Sequence, residues 1–244
     1  MTKANLFLFA APRSGSTQMA HWLNSHPDIC LSPVKEPNHF SAHEFDSEYV
    51  RTNHLNDVDP ANYLKSNRRY PAQFSVFRDP DHYVALFADM KTSWRLDAST
   101  SYLSCPSAAA AVHSYAPNAR IIVLMRDPVS RACSHYRLAI RTGRTTVDLP
   151  TQLAAELSGS LPLAAQYLLR PSHQNQGLER ITSVFPAEQI RIVQFERMIG
   201  DPKAILSDLA LWLSLDPDLF DLSKSSRNAG CSPRFMAMNR ALES

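Results

Sequence analysis

Three short apolar runs along the chain are each followed by a turn and a helix-like pattern. Leu6 to Ala10 and Ile121 to Met125 are continuous and bounded by turn residues, and Ile190 to Gln194 also resembles a strand. Strands that alternate with helices predict an α/β fold, with a parallel central sheet flanked by helices. Ligands of such sheets bind beyond the carboxyl ends of the strands. The loops that start at Ala11 and Arg126 are therefore the first candidates for a site.

Helical spacing follows each of these strands. Apolar residues return at helical intervals from Ser16, and Pro27 ends that segment. The Asp-Pro pairs at 127–128 and 201–202 supply a capping carboxylate and a proline for the first helical turn. The second of these pairs opens an amphipathic helix that is predicted to end near Leu213.

The remaining segments fit a single domain that spans residues 1–244. A chain of 244 residues that is 44% hydrophobic can bury one large core but is short for two enzymes. Residues 36–75 are polar and irregular, and residues 143–175 have a weaker helical pattern, so both are expected to be insertions over the site. The sequence contains neither an internal repeat nor a dividing linker.

Charge and cysteine content narrow the functional classes. Lys and Arg number 25 against 23 Asp and Glu, without a block of like charge, which argues against a nucleic-acid partner. The four cysteines are scattered without a C-x-x-C pair, so neither a zinc site nor a disulfide framework is predicted. The sequence has no convincing signal peptide or membrane-spanning run, and a cytoplasmic location without a transmembrane segment is expected.

The loop after the first strand is similar to a phosphate-binding loop but lacks its lysine. Residues 10–17 read AAPRSGST where an ATP or GTP site reads G-x-x-x-x-G-K-[ST], so Ser16 replaces the lysine. Backbone N–H groups, the hydroxyls of Ser14, Ser16 and Thr17, and Arg13 remain to hold one anion. Such a set, without evident magnesium ligands, suits sulfuryl transfer. The alternative is an ordinary turn with a surface arginine.

A second motif supports the anion-binding interpretation. Arg126 ends an apolar strand, and Ser134 lies one to two turns into the next helix, so both are expected at the same sheet edge as the first loop. The stretches at 11–29 (APRSGSTQMAHWLNSHPDI) and 121–138 (IIVLMRDPVSRACSHYRL) resemble the two nucleotide-binding signatures of sulfotransferases that use 3′-phosphoadenosine 5′-phosphosulfate (PAPS). We refer to them as the first and second signatures.

The resemblance continues through VKEPNHF, LDASTSYL and FPAEQIRIVQFERM and covers most of the chain in the family's order. It indicates a bacterial member near the heparan sulfate and tyrosylprotein branch, with a fold related to P-loop kinases. It implies PAPS as donor, adenosine 3′,5′-bisphosphate (PAP) as product and no required metal. It assigns the 5′-phosphosulfate to Arg13, Ser14, Gly15, Ser16, Thr17 and Gln18, the 3′-phosphate to Arg126 and Ser134, and a C-terminal clasp to Lys224 and Arg227. The heparan sulfate enzymes carry a lysine where this chain has Arg13.

The catalytic assignments also follow from the resemblance. Glu36, placed in the loop after the second predicted strand, matches the family's general base, and the alternative is that it caps or salt-bridges that loop. His39 and His43 compete for the same role because histidine titrates near neutrality. Arg13 is expected to act as an electrostatic clamp, since a guanidinium does not lose its proton in proteins.

The acceptor is left open by the sequence. Residues 100–102 (Thr-Ser-Tyr) resemble a segment beside the nucleotide and acceptor, although Tyr102 can equally fill the core. The arginines at 137, 141 and 144 either receive an acidic acceptor or form a solvated helix face. A carbohydrate hydroxyl is the first expectation, followed by a small metabolite or lipid, and O- and N-sulfation are not separated. The alternatives to a sulfotransferase are a P-loop phosphotransferase and a silent nucleotide-binding module.

Overall fold

The structure, a computed structural model, describes residues 2–52, 56–66 and 70–223, so the C-terminal clasp residues Lys224 and Arg227 lie outside the described residues. The strands are β1 Leu6–Ala10, β2 Ile29–Leu31, β3 Val34–Glu36, β4 Ala72–Phe74, β5 Trp94–Asp97, β6 Arg120–Met125 and β7 Ile190–Gln194. The helices are α1 Ser16–Leu23, α2 Ser47–Thr52, α3 Pro60–Lys65, α4 Pro80–Ala85, α5 Ala108–Tyr115, α6 Pro128–Arg141, α7 Leu149–Leu157, α8 Gln174–Thr182, α9 Phe195–Gly200 and α10 Pro202–Leu213. Short 3₁₀ turns occupy His39–Glu44, Leu163–Ala165, Arg170–Ser172, Ala187–Gln189 and Pro217–Leu219.

Five of these strands form the central sheet in the order β2-β5-β1-β6-β7, and every pairing in it is parallel. The predicted α/β architecture is thereby confirmed. β1 lies in the middle and is fully buried, because its alternating side chains enter two cores. Phe7 and Phe9 pack into the core on one face, whereas Leu6, Leu8 and Ala10 pack into the core on the other.

The strand order reverses beside β1, and this reversal positions the site. From β1 the chain builds β2 and β5 on one side, and after β5 it crosses to β6 on the other side of β1. The loops that follow β1 and β6 therefore leave the carboxyl edge of the sheet next to each other, at the point where such sheets bind ligands.

Both predicted Asp-Pro helix starts are confirmed. Asp127 Oδ1 accepts a hydrogen bond from the Ser130 amide at 2.7 Å, and α6 begins at Pro128. Asp201 Oδ1 accepts one from the Ala204 amide at 3.0 Å, and α10 ends at Leu213 as expected. These caps satisfy amides that have no partner within the helix.

The prediction that Glu36 sits in a loop was wrong. Glu36 is the last residue of β3, which pairs in parallel with β4 in a separate two-stranded sheet. The polar composition of residues 36–75 hid this pairing, because strands of only three residues carry almost no periodic signal. The backbone carbonyl of Glu36 accepts the amide of Ser75 at 3.1 Å, which continues the ladder past the strand ends.

Among the residues that the structure describes, no helix has the length and apolar character needed to cross a bilayer.

Candidate functional site

The loop after β1 has two departures from ordinary backbone geometry, separated by one residue. Arg13 has a φ of 72° and Gly15 a φ of 83°, both in the left-handed region. Only glycine adopts that region freely, so the conformation of Arg13 costs roughly 1 kcal/mol or more. Glycine is required at position 15 for two reasons. Its φ is left-handed, and a Cβ there would lie 2.8 Å from both Met198 Cε and Phe195 Cδ2.

The same loop opens α1 as an anion-binding helix end. α1 begins at Ser16 without a capping side chain, and its first amides point past the helix end. The Ser14 hydroxyl is fully buried and has no hydrogen-bond partner among the described residues. A buried hydroxyl without a partner is unfavourable unless a ligand supplies the missing bond, so this end of the helix fits an anionic group.

The backbone and guanidinium of Arg126 are both held in place. The side-chain amide of Gln174 accepts from the Arg126 amide at 2.9 Å and donates to its carbonyl oxygen at 2.7 Å. The guanidinium lies 4.3 Å from the ring centroid of Phe195, a cation–π contact. Its Nε atom is buried without a hydrogen-bond partner among the described residues, so Arg126 retains a donor for a ligand.

The two signatures contact each other directly. Arg126 Nη1 donates to the Arg13 carbonyl oxygen at 2.5 Å, and Arg13 Nε donates to Ser134 Oγ at 3.3 Å. The structure therefore brings together Arg13, Arg126 and Ser134, as expected from their positions along the sheet edge. Burial, followed by the positive charges of Arg141 and Arg126, lowers the pKa of Arg13. A set of guanidinium groups this close together favours an anion between them.

The arginines along α6 do not behave alike. Arg137 is exposed, which fits the solvated-face alternative. Arg141 is half-buried, and its charge acts on Arg13, so it belongs to the cationic cluster of the site. It also lies seven residues after Ser134, a spacing that puts both on one helix face. Arg144 follows the end of the helix and is exposed.

Glu36 is buried and hydrogen-bonded through both carboxylate oxygens. Oε1 accepts from Lys35 Nζ at 2.8 Å and from Gln73 Nε2 at 3.0 Å, while Oε2 accepts from the Thr100 hydroxyl at 2.6 Å and its amide at 3.4 Å. The Lys35 side chain is only 4% exposed and that of Glu36 11%. A salt bridge was the alternative to a catalytic role for Glu36, and the structure contains this ion pair with Lys35. It does not exclude a catalytic role.

The segment after β5 separates into a site residue and core residues. Thr100 contacts Glu36, whereas Tyr102 is buried and donates to Asp97 Oδ2 at 2.8 Å, as does Tyr83. Tyr102 therefore fills the core, one of the two possibilities raised by the sequence. Asp97 is fully buried, and burial raises its pKa to about 6 despite the donors around it.

The two histidines that compete with Glu36 occupy different environments. His39 is half-buried, and its Nδ1 donates to the Phe77 carbonyl oxygen at 2.7 Å while the ring stacks on Tyr83 at 4.4 Å. Burial lowers the pKa of His39, which keeps the ring neutral and leaves Nε2 unprotonated. His43 is exposed and lies beside Cys105 and Ser107.

His43 also belongs to a cluster of metal-type ligands. Atoms of His43, Glu44 and Cys105 lie within 4.8 Å of one another, a grouping that the scattered cysteines did not reveal. Glu44 Oε1 already accepts from Arg170 Nη2 at 2.6 Å, however, and this cation opposes a second positive charge. The expectation that no metal is required remains a prediction.

Several residues that shape the site were missed in the sequence. Phe195 follows β7 at the same carboxyl edge as the two loops, so its position in the chain was a usable signal. Lys35 stands directly before Glu36 in the quoted motif but gave no sign that it is buried. Gln174 lies far from both signatures in the chain, and nothing in its surroundings pointed to Arg126.

Comparison with known proteins identifies the chain. The model of the sulfotransferase family matches residues 5–218. The chain belongs to this family. Its fold is accordingly a sulfotransferase fold, and the structure of the sulfotransferase from Alicyclobacillus acidocaldarius superimposes with a TM-score of 0.76 at 24% identity, covering 93% of this chain and 88% of that one.

Curated relatives share less sequence and are longer. The bifunctional heparan sulfate N-deacetylase/N-sulfotransferase 1 of Caenorhabditis briggsae is 23% identical over 221 residues, which is 86% of this chain and 22% of that protein. Carbohydrate sulfotransferase 15 of Homo sapiens is 21% identical over 246 residues, or 87% of this chain and 44% of that protein. This chain thus spans less than half the length of either relative.

Proposed function

We propose that this sulfotransferase takes its sulfuryl group from PAPS and transfers it to an acceptor hydroxyl or amine. The observation that carries the proposal is the direct contact between the two signatures at one sheet edge, where Ser14 Oγ and Arg126 Nε are buried without hydrogen-bond partners among the described residues. An anionic nucleotide with phosphate groups at two positions would satisfy both atoms at once.

Two groups of residues would bind the two ends of the nucleotide. The amides at the start of α1, Ser14 and Arg13 would hold the 5′-phosphosulfate, and Arg126 and Ser134 the 3′-phosphate. When bound, PAPS supplies the sulfuryl group and a phosphate leaving group that departs without a proton. Arg13 keeps its positive charge throughout and stabilises the negative charge that develops on the bridging oxygen.

Glu36 is the proposed base for the acceptor. As the acceptor oxygen forms its bond to sulfur and the bond to the bridging oxygen breaks, Glu36 takes the acceptor's proton. Its carboxylate already accepts from three side chains and one amide. One of these donors must therefore give way to the acceptor. The Thr100 hydroxyl is suited to this exchange, because it can rotate and accept a hydrogen bond instead.

A guanidinium cluster in place of magnesium ligands favours sulfuryl over phosphoryl transfer. Ser16 stands where a nucleotide triphosphatase has its lysine, and Arg13, Arg126 and Arg141 supply the positive charge. We propose accordingly that no metal takes part. A carbohydrate hydroxyl is the first choice of acceptor, because one relative is named as a carbohydrate sulfotransferase. The other is named as a heparan sulfate N-sulfotransferase, so an amine remains the alternative acceptor.

Incubation of the purified protein with ³⁵S-labelled PAPS and pooled glycans, lipids and metabolites tests the proposal. We expect label to appear in one acceptor class with EDTA present, and PAP to accumulate in equal amount. Magnesium-dependent ATP turnover without sulfuryl transfer would favour a phosphotransferase. Tight PAP binding without transfer to any acceptor would identify a silent nucleotide-binding module.

A further inference from the structure

Arg131 is a charged side chain for which the proposed reaction has no use, yet it is fully buried beside the site. It lies in α6 between Arg126 and Ser134, the two residues assigned to the 3′-phosphate. A guanidinium has five N–H donors, and all of those of Arg131 are used. They bind Ser172 Oγ (2.9 Å), Pro12 O (3.2 Å), His135 Nδ1 (3.2 Å), Tyr167 O (3.0 Å) and Leu168 O (2.6 Å).

Two of these contacts hold residues 167–169 in place. The carbonyls of residues 167 and 168 accept from Arg131, and the amides of residues 167 to 169 donate to Glu156 at 2.7 to 3.1 Å. The segment thus lies between a buried cation and a buried anion, and Glu156 partly offsets the cost of burying the arginine. This clamp uses two of the five donors and does not involve the one that reaches Pro12.

The contact with Pro12 bears on the strained backbone of Arg13. The carbonyl before Arg13 accepts from Arg131, and the carbonyl after it accepts from Arg126. Both peptide groups that set the left-handed φ of Arg13 are therefore fixed by arginines of the second signature. A non-glycine residue keeps such a conformation only when its surroundings over-determine it.

The ring of His135 accepts a hydrogen bond from Arg131 and adds no positive charge beside it. Its Nδ1 accepts from Arg131, so the ring proton lies on Nε2. Burial, together with the charges of Arg131, Arg13 and Arg144, lowers the pKa of His135 to about 3. The ring is neutral wherever the protein is folded at ordinary pH, and Arg131 keeps the same partners across that range.

We propose that Arg131 is a positioning residue. By binding the Pro12 carbonyl it holds Arg13 in its left-handed conformation and so aims the Arg13 guanidinium at the sulfuryl end of PAPS. Arg131 touches no reacting atom and acts through Arg13. This inference rests on the proposed function, because it gives Arg13 the sulfuryl group as its target.

A double-mutant cycle separates this role from a merely structural one. Arg131→Met is introduced into the wild type and into Arg13→Ala. Calorimetry gives the ratio of PAPS affinity to PAP affinity. The rate measured is that of PAPS hydrolysis by water, followed as release of ³⁵S-labelled sulfate. We expect Arg131→Met to lower both quantities by roughly 10-fold or more in the wild type and by less than about 3-fold in Arg13→Ala, since interacting residues are not additive.

Two further variants keep the test decisive. Glu156→Gln loosens residues 167–169 without touching Pro12, and it should lower the melting temperature while sparing the affinity ratio and the rate. If Arg131→Met fails to fold, Arg131→Lys retains the charge but cannot reach all five acceptors, and the cycle is repeated with it. Equal losses in both backgrounds, or a matching loss in Glu156→Gln, would overturn the inference. A wild type that binds neither PAPS nor PAP would instead refute the proposed function, and the inference with it.

Discussion

Replacement of Glu36 by glutamine tests two properties of this carboxylate at once. Glu36 balances the charge of Lys35, whose Nζ lies 2.8 Å from Oε1 and whose side chain is 4% exposed. Glu36→Gln leaves this ammonium buried without a counter-charge. Breaking a buried ion pair by removing one partner costs about 3–5 kcal/mol. That is a large part of the roughly 5–15 kcal/mol that stabilises a typical domain.

Removal of both charges isolates the catalytic part of the effect. In Lys35→Met/Glu36→Gln no charge is left uncompensated, and replacement of a whole buried pair is often close to neutral for stability. We therefore expect the double variant to regain most of the lost stability. Sulfuryl transfer should stay ~100-fold or more below wild type in both variants, because the base is absent from each.

The assay combines urea unfolding, PAP calorimetry and single-turnover transfer. With a slope near the upper end of about 1–3 kcal/mol per molar urea, the single variant should unfold at roughly 1–2 M lower urea. His39→Ala and His43→Ala serve as controls with unchanged transfer. Wild-type transfer in the double variant would refute Glu36 as base, and abolition of transfer in either histidine variant would show that the base is misassigned. A double variant as unstable as the single one would refute the charge argument.

Three further predictions follow from single contacts. Arg13→Ala should lower turnover more than PAP affinity, because PAP lacks the sulfuryl group, and equal losses would contradict this. Phe195→Leu should weaken PAP binding by about 3-fold or more through loss of the contact under Arg126, as measured by calorimetry. The pKa of Asp97 is raised to about 6 in the folded protein, so its contribution to stability is complete below the unfolded pKa of about 4 and is lost as the pH rises through 6. Asp97→Asn should therefore gain stability relative to wild type between pH 4 and 6, and unchanged unfolding curves would contradict the assignment.

The large elements were predictable because their signals are local. Five buried apolar residues in β1 and Asp-Pro pairs at the starts of α6 and α10 carry their structure in a few neighbouring positions. The carboxyl-edge rule then brought Arg13, Arg126 and Ser134 together without further information. In the structure Arg13 contacts both of the other two.

The remainder of the site depends on contacts between distant segments. Gln174 fixes the backbone of Arg126 from 48 residues away, and buried Lys35 donates from Nζ to the carbonyl oxygen of Ala98, 63 residues away. The strained φ of Arg13 likewise follows from partners more than 100 residues along the chain. Neither periodicity nor capping chemistry reports such contacts, so these features required the structure.

The most direct test of the central claim is the difference in affinity between PAP and adenosine 5′-phosphate. The two nucleotides differ by the 3′-phosphate, which is assigned to Arg126 and Ser134. A hydrogen bond to a charged group contributes about 1.5–3 kcal/mol, so we expect calorimetry to show PAP binding at least ~10-fold more tightly, and Arg126→Ala to remove most of that difference. Equal affinity of the wild-type protein for the two nucleotides would contradict the assignment of the second signature and the proposed use of PAPS.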